Sequence, residues 1–149
     1  MYNIFIRIYY MQIGTKFSVS IHILLCVEFF KNTHKVTSEF IASSVKTNPV
    51  VIRNLMGLLK KAGLISITAG TGGICLTRKA SEINFLDVFN AVESVKDGKL
   101  FKIHKNKEQD CPVANKIDVL LENCFSEAQL SLEKKLKSYT LQNILNKLV

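Results

Sequence analysis

A mainly α fold, carrying a small β-hairpin and ending in a long helix, follows from three features of the 149-residue sequence. Two short helical patterns meet at a tight turn between Thr37 and Gly63. Two alternating apolar and polar runs then flank a glycine-rich loop, up to Thr77. Beyond Pro112 an apolar stripe recurs at helical spacing for about seven turns. Hydrophobic content of 48% with two prolines and seven glycines fits a folded chain. The length accommodates one compact domain and one further element.

In chain order, Met1–Tyr10 is apolar and aromatic but interrupted by Arg7. It is shorter than the roughly 20 residues that span a bilayer, and it has no signal-peptide cleavage pattern. We expect translation to begin at Met11, residues 1–10 being a mis-called extension; the alternatives are an extra strand or a loose arm. The run from Thr15 to Phe30 is apolar nearly all round and predicts a helix buried over most of its circumference. Lys16 at its start is within reach of a phosphate, with a solvated lysine as the plainer alternative.

Thr37 is suited to cap the next helix, where Glu39 favours the positive end of the dipole. Phe40, Ile41 and Val45 face the core, and Lys46-Thr47 makes the turn. Asn48-Pro49 then starts a second helix, because asparagine caps well and proline fits the first helical position. Its apolar residues Ile52, Leu55, Met56 and Leu59 follow the i, i+3, i+4, i+7 rule, which puts Val50, Arg53, Asn54, Gly57 and Lys61 on the other face. An arginine bridges guanine acceptors, an asparagine pairs with adenine, and a valine touches a thymine methyl. Lys60 and Lys61 occupy the last turn and Gly63 supplies the stop.

Taken alone, that helix reads equally as an amphipathic core helix with a solvated face. The neighbouring hairpin changes the balance. Leu64–Thr68 and Ile74–Thr77 alternate as strands do, and Ala69, Gly70, Thr71, Gly72 and Gly73 join them in a loop whose backbone can approach phosphates. The combination is a winged helix-turn-helix, with double-stranded DNA as the expected partner. The glycine loop matches neither a phosphate-binding loop ending in GK[ST] nor a GxGxxG that opens a helix.

Arg78–Glu82 reads as a polar connector, and Asn84 with Asp87 as a helix cap before Phe85, Val88, Phe89 and Val92. Ser94–Pro112 holds five lysines with little periodicity and reads as a solvated loop. The stripe that follows contains Val113, Ile117, Leu120, Leu121, Cys124, Phe125, Ala128, Leu132 and Leu136. It is more apolar surface than so small a domain covers from within, so the helix is expected to pair with a second copy, the interface centring on Ile117, Leu120, Leu121, Cys124, Phe125, Ala128 and Leu132. Packing against its own domain is the alternative. A last short helix, Thr140–Leu145 with Leu148, is expected to fold back on the body. The expected organisation is 11–93 for the DNA-binding unit, 94–110 for a basic loop, and 111–149 for the pairing and terminal helices.

The net charge of +8 rests mainly on lysine, since Arg7, Arg53 and Arg78 are the arginines. It suits nucleic acid or an anionic surface and does not choose between them. Cys26, Cys75, Cys111 and Cys124 form no CxxC pair, so neither a zinc ribbon nor a disulfide framework is expected. Reduced thiols and a cytoplasmic location are expected instead. Cys26, Cys75 and Cys124 lie in apolar patterns and read as buried, whereas Cys111 lies in a polar loop. No nucleophile with a positioned base, paired acids or metal-ligand cluster is evident, so catalysis is not expected. Two rivals remain: a protein-interaction module that binds a metabolic enzyme through the long helix, and, less favoured for want of a resolving cysteine, a thiol enzyme.

The order TSEFIASSVKTNPVVIRNLMGLLKKAGLI, GTGGICLTR, INFLDVFNAVE, then a loop ending in DCPV and a long helix resembles the Rrf-two family of bacterial transcription regulators, which includes the iron-sulfur cluster regulator and the repressor of cysteine metabolism. The resemblance covers about Ile13 to Lys137. It implies a homodimeric regulator reading an inverted repeat, with base-reading positions at Asn48, Val50, Val51, Arg53 and Asn54 and a wing at Thr68 to Gly73. Many members carry an arginine before the wing glycine where this chain has Ala69, which implies a different taste in minor grooves. Cluster-binding members place three cysteines and a further ligand in the loop where this chain has only Cys111 and His104. No iron-sulfur cluster is expected, because a cluster takes four protein ligands. Cys111 is instead a candidate redox thiol, an unreactive loop cysteine being as good a reading.

Overall fold

The computed structural model describes residues 14–70, 73–93, 98–105 and 110–148. The expectations for Met1–Tyr10 and for the wing-tip residues Thr71 and Gly72 fall outside them. Within them the chain forms α1 (Thr15–Phe30), α2 (Ser38–Val45), α3 (Pro49–Lys61), β1 (Ile65–Thr68), β2 (Gly73–Leu76), α4 (Phe85–Val92), α5 (Pro112–Lys137) and α6 (Leu141–Leu145).

Helix α1 is the post around which the N-terminal unit packs. α2, α3, α4, α6 and β2 all lie against it, which explains why its sequence is apolar nearly all round. Ile23, Leu24 and Val27 are fully buried there with Ile41, Ile52 and Leu59. Phe17 meets Phe85 and Phe89 edge-on at 6.1 and 5.6 Å and so ties α1 to α4.

The turn between α2 and α3 is built from local chemistry. Thr37 Oγ1 accepts from the Phe40 amide at 3.1 Å to start α2. Lys46, at φ 58°, takes the left-handed conformation that ends it. Asn48 Oδ1 accepts from the Val50 amide at 2.8 Å, and Pro49 follows at the first helical position. Gly63, at φ 73°, closes α3, and the Leu64 amide reaches back to the Leu59 carbonyl at 3.0 Å.

In the antiparallel hairpin Ile65 pairs with Leu76, Ser66 with Cys75, Ile67 with Ile74 and Thr68 with Gly73. Ile65 and Ile74 are buried. This register turns Ser66 and Cys75 outward, so Cys75 is exposed and its expected burial is corrected. The connector contains a short 3-10 turn, Ala80–Glu82, whose Ala80 enters the core. Asn84 and Asp87 cap α4 reciprocally, with N···O distances of 3.0 and 3.1 Å, and Arg78 binds Asp87 at 3.0 Å.

After α5 the chain returns. The Phe85 amide donates to the Tyr139 carbonyl at 2.9 Å and the Leu141 amide to the Ile83 carbonyl at 3.0 Å, joining the end of α5 to the start of α4. Leu141 and Leu145 of α6 are buried as expected. Leu148 is not; the helix ends at Leu145, and the periodicity that would have turned Leu148 inward ends with it. Helix α5 buries none of its 26 residues. Cys124 is therefore exposed, against expectation, because among the described residues none covers that side.

Candidate nucleic-acid interface

The α3 stripe of Ile52, Leu55, Met56 and Leu59 is buried, and this fixes which way the opposite face looks. Val50 and Val51 are 52% and 44% exposed, and Arg53 and Asn54 stand exposed beside them. Val50 and Val51 thus add apolar surface to the outward face of α3. Lys60 and Lys61 are exposed in the last turn, where they favour the negative end of the dipole and are free to meet phosphate.

The remaining positions expected to lie against DNA are Lys16, Thr37, Asn48, Pro49 and the wing, and they fare differently. Asn48 is exposed, but its Oδ1 is committed to the cap, which leaves its amide nitrogen as the donor available to DNA. Pro49 is half-buried at the helix start. Thr37 has its hydroxyl engaged in capping α2. Lys16 is exposed in the first turn of α1. In the wing, Thr68 and Gly70 are exposed, and Gly70 and Gly73 adopt φ of 79° and 71°, backbone that a side-chain-bearing residue rarely takes.

One arrangement escaped the sequence reading. Arg53 is not free: Nη2 donates to Glu39 Oε1 at 3.0 Å and Nε donates to Ser38 Oγ at 3.3 Å. Ser38 Oγ in turn donates to Glu39 Oε2 at 3.1 Å, which closes a ring of three side chains across the helix-turn-helix. The Glu39 carboxyl is held below the usual carboxylate range, first by a hydrogen bond from its own backbone amide and then by Arg53 and Ser38. The signal was in the sequence, an acid in the first turn of α2 and an arginine in the reading helix, but their meeting depends on how α2 and α3 cross.

Beyond the winged unit, the described residues 98–101 of the loop before α5 are less solvated than expected. Gln129 brackets them, Nε2 donating to the Gly98 carbonyl at 2.8 Å and Oε1 accepting from the Leu100 amide at 3.1 Å. Lys99 binds Glu122, and Phe101 stacks on Phe125 with centroids 5.0 Å apart. Part of the expected pairing stripe is thus covered from within, at Phe125. Leu120, Cys124 and Ala128 are exposed, Leu120 at 59%, while Ile117, Leu121 and Leu132 are half-buried. Val119 and Leu130, outside the expected stripe, are exposed too.

Cys111 is the half-buried residue immediately before α5, and its side chain makes no capping bond. Among the described residues no group of three or more His, Cys, Asp or Glu side chains is placed to hold a metal ion. Cys26 lies on α1, Cys75 on β2, Cys111 just before α5 and Cys124 within α5. Nor is any described helix long and apolar enough to cross a membrane.

Residues 13–147 match the family model Rrf2, described as an iron-dependent transcriptional regulator. YwnA of Bacillus subtilis, named as an HTH-type transcriptional regulator, is 38% identical over 137 residues, covering 92% of this chain and 99% of its own. A solved structure described as a DNA-binding protein superposes with a TM-score of 0.68 at 35% identity, over 87% of this chain and 98% of that one. The IscR of T. potens shares the fold at 19% identity and a TM-score of 0.68, covering 93% and 89% of the two chains. With a winged helix-turn-helix, and with this match over nearly its whole length, the chain belongs to the Rrf2 family of DNA-binding transcriptional regulators.

Proposed function

We propose that the protein is a cytoplasmic homodimeric repressor that reads an inverted repeat and needs no resident iron-sulfur cluster. Two copies pair through α5 around Ile117, Leu120, Leu121, Cys124, Ala128 and Leu132, and each lays α3 in a major groove. Bound there, the dimer excludes polymerase. The observation that carries this reading is the α3 face itself, where Val50, Val51, Arg53 and Asn54 stand outside a helix anchored by four buried residues. The half-sites lie about 34 to 36 Å apart, or a multiple of that, as two-fold related reading helices require. Cys111, at the foot of α5, is the residue through which an oxidant would act on the pairing helix; the effector is otherwise unassigned. The test is a selection of bound duplexes from a random pool with reduced and oxidised protein, followed by sedimentation of the complex. An inverted repeat bound by two chains is the expected result. Failure to shift any selected duplex at moderate salt with excess competitor would favour the rival reading, in which the uncovered α5 face binds a partner protein.

A further inference from the structure

We infer that Glu39 is a specificity-determining residue that acts through Arg53: with Ser38 it clamps one edge of the guanidinium, so that the opposite fork is presented to a base. The inference rests on the reading of α3 as the major-groove helix. A guanidinium has five N–H donors in a rigid plane. The Nε hydrogen goes to Ser38 Oγ at 3.3 Å and one Nη2 hydrogen to Glu39 Oε1 at 3.0 Å. Both hydrogens on Nη1 and the second on Nη2 remain. That residual fork is the pair of donors that matches O6 and N7 of guanine.

Little stability is to be had from the clamp, because its members are exposed, the side chains of Arg53 and Glu39 at 55% and 64%, and exposed ion pairs contribute little. Its consequence is geometric. An unrestrained arginine on a helix beside DNA spends much of its time on the phosphates, which attract it whatever the sequence. Two fixed bonds on one edge of the plane remove that freedom before DNA arrives, and less ordering is left to be done on binding. The Glu39 carboxylate also repels phosphate from the place where the guanidinium is held, which disfavours a backbone-bound register. Ser38 bonds both partners and so keeps the carboxylate itself from turning away.

The experiment uses the full-length protein and the duplex that it selects, with each of the four base pairs placed at every operator position in turn. Arg53→Ala identifies the position that Arg53 reads. At that position Glu39→Ala is expected to lower base discrimination about five- to tenfold, the lower part of what a bidentate arginine supplies. It should leave affinity for random duplex the same or slightly higher, since a negative charge has gone. Glu39→Gln, which keeps the acceptor and the length of the side chain, should retain most of the discrimination. In an Arg53→Ala background Glu39→Ala should change nothing further, a coupling that a merely structural role for Glu39 would not produce. Discrimination unchanged by Glu39→Ala while Arg53→Ala abolishes it would overturn the inference and leave the reading face standing. An equal effect of Glu39→Ala with and without Arg53 would overturn it too, since Glu39 would then touch DNA itself. If Arg53→Ala altered no base preference, the α3 assignment would fall, and the inference with it.

Discussion

The winged unit and helix α5 treat their apolar residues in opposite ways. Around α1, the leucines, isoleucines and valines of α2, α3, α4, α6 and the hairpin find partners in their own chain, and many are wholly buried. Along α5 none is buried, and Val113, Val119, Leu120 and Leu130 each expose more than half their surface. Burial of such a side chain contributes about 1.5 to 3 kcal/mol relative to exposure. The first region therefore secures the fold, whereas the second holds that contribution in reserve for whatever covers it. The proposed pairing through α5 rests on this contrast.

The sharpest way to break this contrast is to charge the reserve. Leu120→Glu should leave the monomer folded yet yield single chains in sedimentation, and operator affinity should drop on the order of a hundredfold as the second half-site is lost. An unchanged solution mass would show that α5 is not the pairing surface. The same truncation made in each region is the next test. Ile52→Ala, inside the core, should cost about 2 to 5 kcal/mol in denaturant unfolding. Val119→Ala, at 68% exposure, should change that figure by no more than about 0.5 kcal/mol.

Within the winged unit, Arg53→Ala should remove about 1 to 3 kcal/mol of discrimination at one base position. Lys60→Ala or Lys61→Ala should weaken all duplexes alike and reduce the salt slope by about one. A sequence-selective loss from either lysine would move the reading face toward the end of α3.

The smallest effect concerns pH. The folded Glu39 carboxyl titrates below its unfolded value, so its contribution is present above the ordinary carboxylate range and is lost as pH falls through the lower, folded value. Base preference measured from about pH 8 down to about pH 5 should consequently be flat, because the usual carboxylate range lies near pH 4. A change within that interval would point to a histidine and not to the Arg53 clamp.

Much of the fold was legible because its signals are local. The Thr15–Phe30 helix, the Asn48-Pro49 start, the Gly63 stop and the Asn84–Asp87 cap each depend on residues within one or two turns, and all stand where the sequence puts them. The outward face of α3 was equally legible, since the position of Arg53 opposite Ile52, Leu55, Met56 and Leu59 is a matter of helical phase. Cys75 and Cys124 show where the sequence misleads: an apolar neighbourhood along the chain guarantees burial only if another element lies over it. The Gln129 bracket on Gly98 and Leu100 and the Phe101–Phe125 stack join residues some 24 to 31 positions apart, beyond the reach of any periodicity.

By itself the sequence determined the helices, the caps at Thr37, Asn48 and Asn84, the presence of the hairpin and the side of α3 that looks outward, because hydrogen bonding and apolar phase act over a few residues. Only the tertiary structure decided that Glu39 and Ser38 would take hold of Arg53, that Gly98, Leu100 and Phe101 would lie against α5, and that the hairpin would turn Cys75 outward. Those outcomes depend on how elements cross in space, and the crossing is set by the packing of the whole core around α1.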